Sequence, residues 1–378
     1  MSQCNKKKIC VFQNLPFGGG YEYFSLTTKY LKKQTDWDFN LITTNKSYIN
    51  QNIKKYFKRI IKIKIPDSKN IFHFSVITSN KINKIYKKKA IEINKNYNFA
   101  IIHPDQFTQC PSLVRYLKIP FIYIFHERKR EYYEQTTNNY YTIKKIISRI
   151  IRSPSKIIET KSTNNVKHII CNSHYSQDIF QKTFRKNNGK TYVIYPGLSS
   201  HYKQKEKMLQ KNALYVGSFN YYKKHKTAIK IAEKQKLKLT LVGNGGEDLD
   251  NIKNLGKQKL KNKFKIIAWA NNRQLKKIYK ESSIYIAPQT TEPFGISTLK
   301  AKSGSLYTIG INSGGTPEII QHNIDGYLIP NIKKEYFFSK KIKEKQNKLS
   351  SNTIDWNETA QKIKQIIIKI MENESSHN

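Results

Sequence analysis

Glu292-Pro-Phe-Gly-Ile-Ser-Thr-Leu-Lys300 and, soon after, Gly314-Gly-Thr-Pro-Glu318 bring an acidic turn, a helix start and a Gly-Gly turn close together. The Glu292 carboxylate can accept hydrogen bonds from sugar hydroxyls. The helix start at Phe294, Gly295 and Ile296 offers bare backbone N–H groups to a phosphate. Glu318 follows the glycine pair at the expected start of a further helix, where an acid also satisfies the positive end of the helix dipole. A second stretch, Val216-Gly217-Ser218-Phe-Asn-Tyr-Tyr-Lys223-Lys224-His225-Lys226, follows an expected strand and precedes an expected helix. A cationic loop there suits a diphosphate, with Lys223 the first candidate and Lys224 the alternative. Gly243-Asn-Gly-Gly246 after the next strand reads as a turn.

Gly18, Gly19 and Gly20 lie between the first expected strand and helix, where they either form a plain turn or let backbone approach a phosphate closely. They do not form GxGxxG, and no GxxxxGK[ST] occurs, so dinucleotide and P-loop fingerprints are absent. His126 ends an apolar strand and opens His126-Glu-Arg-Lys-Arg130. Two readings stand for it: a contact to a sugar or reacting centre, or a structural histidine at a strand end. His103 has the same topological position. Arg128 and Arg130 are suited to phosphate or carboxylate, or else form a solvated face.

These residues need strand ends to position them, and strand and helix patterns do alternate along the chain. Expected strands are Lys8–Phe12, Phe39–Thr43, Tyr97–His103, Pro120–His126, Val166–Cys171 and Thr191–Ile194. After a polar linker, 199–212, come strands Ala213–Val216, Lys238–Val242, Phe264–Ala268, Ile284–Ala287 and Leu306–Ile311. Helices are expected at Tyr21–Lys33, Thr227–Lys234, Asn272–Ser282, from about Ser297, and at Pro317–His322. This order predicts an α/β protein with two Rossmann-like domains facing across a cleft, ligands sitting at the carboxyl ends of the strands. The expected boundaries are 1–198 and 199–355, with a terminal helix, 356–378, packing back on the first domain. Segment Tyr132–Asn165 is helical, basic and interleaved with Ile and Tyr, fit for a packed surface or a membrane surface.

The 378 residues carry 69 basic and 26 acidic side chains, a net charge of +43. Lysine is spread through every segment, as coding bias produces; clustered Arg with aromatics, the mark of a specific nucleic-acid site, is missing. Specific nucleic-acid binding is therefore not expected, whereas peripheral contact with an anionic membrane is compatible with a lysine-rich surface. The four cysteines, Cys4, Cys10, Cys110 and Cys171, are scattered, with no zinc-ligand spacing. Free thiols, no transmembrane-length apolar window and no signal-peptide core predict a cytoplasmic protein.

Taken as an ordered set, the motifs resemble those of the retaining glycosyltransferases of family 4 (glycosyltransferase group 1), which have the GT-B fold. The resemblance runs through Gly18–Gly20, Tyr123-Ile-Phe-His126-Glu-Arg, Cys171-Asn-Ser173-His-Tyr, Val193-Ile-Tyr-Pro-Gly197, Tyr215-Val-Gly217 with Tyr222-Lys223, and Leu241-Val-Gly-Asn-Gly245. It ends on Glu292-Pro-Phe-Gly295, Gly314-Gly-Thr-Pro-Glu318, Asp325-Gly326 and the helix opening at Trp356. Tyr222-Lys223 and His126-Glu-Arg are most similar to mannosyltransferase-like members. The resemblance implies hexosyl transfer, with retention, from a nucleoside-diphosphate sugar to a glycan or lipid-linked acceptor. It implies Glu292 on the donor sugar hydroxyls, backbone of Phe294, Gly295 and Ile296 near sugar and phosphate, Lys223 on the diphosphate, Gly19 near the phosphates and His126 beside the sugar. The nucleotide sugar is a substrate, so no cofactor is expected, and the lack of an Asp-x-Asp motif fits a site without metal.

Two positions depart from the family pattern. A second glutamate, eight residues after the first, usually binds the nucleotide ribose; here Lys300 stands there. An arginine usually follows the Val-Gly of the lysine loop; here it is Ser218. One reading is partial exchange, Lys300 supplying the positive charge missing at Ser218. The other is a catalytically degraded homologue that acts as a binding protein.

Overall fold

The computed structural model describes residues 6–70, 72–133, 143–198, 210–330 and 354–375. The chain divides into two compact units, Met1–Pro196 with Trp356–Asn378, and Gly197–Asp355.

The first unit contains β1 (Lys8–Asn14), α1 (Gly19–Gln34), β2 (Asp38–Thr44), α2 (Gln51–Lys54), β3 (Arg59–Ile63), α3 (Ser79–Asn96), β4 (Phe99–Asp105), β5 (Phe121–Phe125), α4 (Arg130–Tyr133), α5 (Ile143–Asn164), β6 (His168–Cys171), α6 (His174–Thr183) and β7 (Lys190–Val193). Its sheet order is β3-β2-β1-β4-β5-β6-β7, all parallel. The central strands are buried on both faces, as parallel strands flanked by helices must be; Ile9–Phe12 and Ile122–Phe125 are almost wholly inaccessible. Ser173 caps α6 through a capping box with Ser176.

The second unit contains β8 (Asn212–Val216), α7 (His225–Lys234), β9 (Lys238–Val242), α8 (Leu249–Leu260), β10 (Phe264–Ile267), α9 (Asn272–Glu281), β11 (Ile284–Ala287), α10 (Ile296–Ser303), β12 (Tyr307–Ile311) and β13 (Gly326–Ile329). The strands lie in the order β10-β9-β8-β11-β12-β13, again parallel. Winding reverses between β1 and β4 in the first sheet and between β8 and β11 in the second. At such switch points the loops leaving adjacent strands diverge and open a crevice at the strands' carboxyl ends.

The last helix, α11 (Trp356–Ser375), belongs to the first unit. It buries Trp356, Ala360, Ile363, Ile367 and Ile370 on one stripe. Thr359 Oγ1 donates to the Tyr195 carbonyl at 3.0 Å, and Lys364 Nζ to the Gln34 carbonyl at 2.9 Å.

The helix expected at Pro317–His322 is not formed: only a single 3-10 turn, Thr316–Glu318, is present. Two side chains take the backbone groups a helix would need. Gln321 N donates to Asp325 Oδ1 at 2.8 Å, and the Ile319 carbonyl accepts from Lys302 Nζ at 2.5 Å. Lys302 also pairs with Asp325 at 2.7 Å in a buried setting. Glu318 therefore closes a turn and opens no helix. Of the expected linker, 199–212, residues 199–209 lie outside the described residues, and Asn212 is already in β8. Cys10, Cys110 and Cys171 are free and buried, their thiols pushed up by burial. Cys4 lies outside the described residues.

Candidate active site

In the second unit, Lys223 and Glu292 meet at the switch point. Lys223 leaves β8 in a 3-10 turn, Tyr221–Lys223; Glu292 leaves β11. Lys223 Nζ lies 2.8 Å from Glu292 Oε2, both side chains mostly but not wholly buried. This charge-assisted contact ties the two loops together.

Each loop is braced by glycines from the neighbouring loop. A Cβ on Gly314 would fall 2.7 Å from the Glu292 carbonyl oxygen, and one on Gly315 would fall 2.5 Å from that of Pro293. Gly314 also has φ +66°, a conformation that glycine adopts without strain. With the side chains gone, Gly315 N reaches the Glu292 carbonyl at 2.8 Å, and Ser313 Oγ reaches that of Thr290 at 2.6 Å. The Gly243-Asn-Gly-Gly246 turn does the same for the Lys223 loop. A Cβ on Gly243 would stand 2.3 Å from the Gly217 carbonyl oxygen, and Phe219 N donates to the Gly245 carbonyl at 2.8 Å.

Tyr215, quoted from sequence only as part of the Tyr215-Val-Gly217 motif, and Gln289 were not candidate site residues, yet they join the two loops. Tyr215 OH accepts from Gln289 Nε2 at 2.8 Å and donates to the Lys223 carbonyl at 2.7 Å. Inside a strand Tyr215 reads as one more core aromatic, and only the fold reveals its hydroxyl contacts. His225 packs against Tyr215 and Phe219, and its Nε2 donates to the Gly217 carbonyl at 3.3 Å. Burial lowers its pKa to about 4, so it is a neutral structural donor.

The remaining residues of this set fall around the pair. Phe294 is buried, and Gly295 caps α10 with φ +105°. Ile296 is the first residue of α10, so the helix N-terminus lies next to the Glu292 loop. Lys300 lies one turn further along α10, in its last turn. Ser218 Oγ accepts from Asn220 Nδ2 at 3.0 Å, which places a neutral polar group where a cation would be expected. Lys224 adopts φ +57° ahead of α7.

In the first unit a separate cluster forms around His126, one residue beyond β5. Asn172 Nδ2 donates to His126 Nδ1 at 3.2 Å, leaving the ring proton on Nε2. Among the described residues Nε2 has no hydrogen-bond partner. Burial lowers the His126 pKa to about 4, so the ring is neutral. Tyr23 packs edge-on at 4.8 Å, and a Cβ on Gly20 would touch the ring at 3.6 Å. Gly19 and Gly20 are the first residues of α1, which sets that helix N-terminus beside His126. His103 is inside β4, fully buried, its pKa held well below the ordinary value by burial and by His126. Arg130 pairs with Glu127 at 2.7 Å and Arg128 Nη1 donates to Thr183 at 3.2 Å, so both have protein partners. Among the described residues no three His, Cys, Asp or Glu side chains form a metal-ligand set.

Two Rossmann-like units of all-parallel sheet, each carrying its polar cluster at strand carboxyl ends, define the GT-B class. Comparison with known proteins agrees. The family model described as "Glycosyl transferases group 1" matches residues 198–369, and that of "Glycosyltransferase Family 4" matches 51–201. The chain belongs to this glycosyltransferase family. It is similar to an uncharacterized glycosyltransferase of Methanocaldococcus jannaschii, 32% identical over 125 residues, a stretch that covers 32% of each protein. In fold it is similar to a glycosyltransferase of Rickettsia africae, at 20% identity and TM-score 0.64, covering 98% of this chain and 100% of that one. It is also similar to the pneumococcal O-GlcNAc transferase GtfA in complex with UDP and GlcNAc, at 12% identity and TM-score 0.66, covering 97% and 99%.

Proposed function

We propose that the chain is a retaining hexosyltransferase that moves a sugar from a nucleoside-diphosphate sugar to a glycan or lipid-linked acceptor in the cytoplasm. The observation that carries this reading is the Lys223–Glu292 pair, 2.8 Å apart at a switch point beside the N-terminus of α10. The pneumococcal neighbour bound to UDP and GlcNAc supports a nucleotide-sugar donor.

In this reading Glu292 accepts from donor sugar hydroxyls, while Lys223 and the α10 N-terminus bind the diphosphate, where negative charge grows as the anomeric C–O bond breaks. Backbone of Phe294, Gly295 and Ile296 lies along sugar and phosphate. In the first unit, taken by itself, Gly19 and Gly20 at the α1 N-terminus are the candidates for binding phosphate, and His126 Nε2–H is the candidate donor to a sugar hydroxyl. The acceptor oxygen bonds to the anomeric carbon on the face the diphosphate leaves, and a departing phosphate oxygen takes its proton. No cofactor enters the scheme. Lys300 adds a cation one turn into α10, offsetting the neutral Ser218, so ribose recognition differs from a two-carboxylate site. Glu318 and Lys224 border the donor pocket.

A screen of UDP-, GDP- and ADP-sugars for hydrolysis and transfer tests the proposal. At least one donor should turn over, and Lys223→Ala and Glu292→Gln should abolish most of that turnover. The rival, a degraded homologue that only binds, draws on Lys300 and Ser218. Calorimetric binding of a nucleoside diphosphate with no donor consumed would establish it. Lys300→Glu separates the two further: a strong rise in turnover would defeat charge exchange and favour erosion.

A further inference from the structure

Helix α5 is built inside out. Its buried side chains include Ser155, Glu159, Ser162 and Thr163, while Ile147, Ile150 and Ile157 are 48%, 66% and 52% exposed. Ser155, Glu159 and Ser162 follow i, i+4, i+7 spacing and share one face; Ile150 and Ile157, seven residues apart, share another, with Ile147 three residues before the first. The hydroxyls of the polar face find partners, while Glu159 Oε2 is buried without one among the described residues. Ser155 Oγ lies 3.0 Å from Ser75 Oγ, while Ser162 and Thr163 donate to carbonyls of their own helix at 2.6 and 2.9 Å. Glu159 is fully buried, its carboxyl raised well above the ordinary range by burial. The apolar side chains that would ordinarily fill a core therefore point to solvent. The neighbouring turn His73–Thr78 adds Ile77, with Phe72 just before it, 41% and 55% exposed.

Charge selects the occupant of this face. Helix α5 contains Lys144, Lys145, Arg149, Arg152, Lys156 and Lys161, and its one acid, Glu159, is buried. An apolar ridge on a helix with six basic residues in its sequence, of which Lys156 and Lys161 are exposed, and one acid, which is buried, suits the boundary between anionic headgroups and acyl chains. A nucleic acid would match the charge and leave the isoleucines in water.

We infer that α5 docks this chain on an anionic lipid bilayer, with Ile147, Ile150 and Ile157 entering the headgroup boundary. No helix among the described residues is long and apolar enough to cross a membrane, so this is adsorption through one face. The inference is independent of the proposed glycosyl transfer and is tested without a donor. The full chain is sedimented with phosphatidylcholine vesicles, with and without phosphatidylglycerol. Wild type should bind the anionic vesicles, and Ile150→Ser/Ile157→Ser should weaken partitioning by about tenfold or more. Ile91→Ser, at an exposed isoleucine of α3, should leave binding unchanged, and circular dichroism confirms that each variant is folded. The inference is overturned if wild type ignores anionic vesicles. It is equally overturned if the double substitution binds like wild type, since diffuse lysine attraction would then suffice, or if Ile91→Ser weakens binding as much.

Discussion

Glu292→Gln keeps the shape of the side chain that Lys223 grips and removes its charge. Lys223→Ala removes both the cation and the side chain, and takes that ion-pair partner from the mostly buried Glu292 carboxylate. Each should lower kcat/KM by about 10²–10³-fold, the range seen when one transition-state donor is lost. The double variant should cost less than the product of the two, because one interaction is deleted twice. Steady-state kinetics on the four proteins checks both points, and multiplicative losses would show that the residues act apart. Titration of His126 gives a second prediction at this scale. Its folded pKa, about 4, is below the ordinary histidine value of 6.5. The stability linked to it is full above about 6.5 and is lost as pH falls toward about 4, because the unfolded chain takes up the proton first. His225 behaves alike. Asp105, raised to about 6, has the opposite sign: its contribution is lost as pH rises through that value. The comparison is therefore between wild type and His126→Gln. Denaturant unfolding from pH 7 to 4 should show a shallower acid loss in the variant, and identical slopes would rule out a neutral His126 in the native state.

The loops between elements turn these residues into a site, and glycine is what allows the loops to touch. Gly315→Ala places a methyl group 2.5 Å from the Pro293 carbonyl oxygen and 2.7 Å from the Phe294 Cα, contacts that real Cβ atoms do not make. The Glu292 loop must move. The expected cost is about 1–3 kcal/mol of stability, as for other overpacking substitutions, with an activity loss comparable to that of Glu292→Gln. Thermal melting with a donor-turnover assay checks it; unchanged activity would mean that the brace is not needed. Much of this was legible in sequence: Lys223 and Glu292 stood out by type and by their place after strands, and the Gly-Gly pair by its spacing. The bracing was not, since it depends on contacts between loops far apart in sequence. Strand β3 and strand β13 escaped notice because edge strands are short and need no continuous apolar run. α3 escaped because its apolar positions, Ile82, Tyr86, Ala90 and Ile93, are diluted by Lys and Asn. The helix expected after Pro317 fails because Lys302 and Asp325, distant or downstream, capture its backbone groups. Local pattern carries no information on such competitors.

At the scale of the molecule, the chain leaves its first unit at Pro196 and returns to it at Trp356. Trp356 is 2% exposed and packs edge-on against Tyr23 at 5.6 Å, and Tyr23 in turn packs against His126 at 4.8 Å. The end of the chain thus supports a candidate site residue near its beginning through one intervening ring. Trp356→Ala removes a large aromatic from a closed environment and should cost about 3–5 kcal/mol. Trp356→Phe keeps the ring contact and should cost appreciably less. Because Tyr23 would relax into the cavity, His126 should lose its edge contact, and the alanine variant should show reduced turnover even at temperatures where it remains folded. A merely peripheral tail predicts something else: a change within about 0.5 kcal/mol, as at ordinary surface positions, and unaltered kinetics. Denaturant unfolding and donor turnover on the two variants distinguish these outcomes. A large stability loss with wild-type turnover would assign α11 to folding of the first unit alone and break the link from Trp356 through Tyr23 to His126.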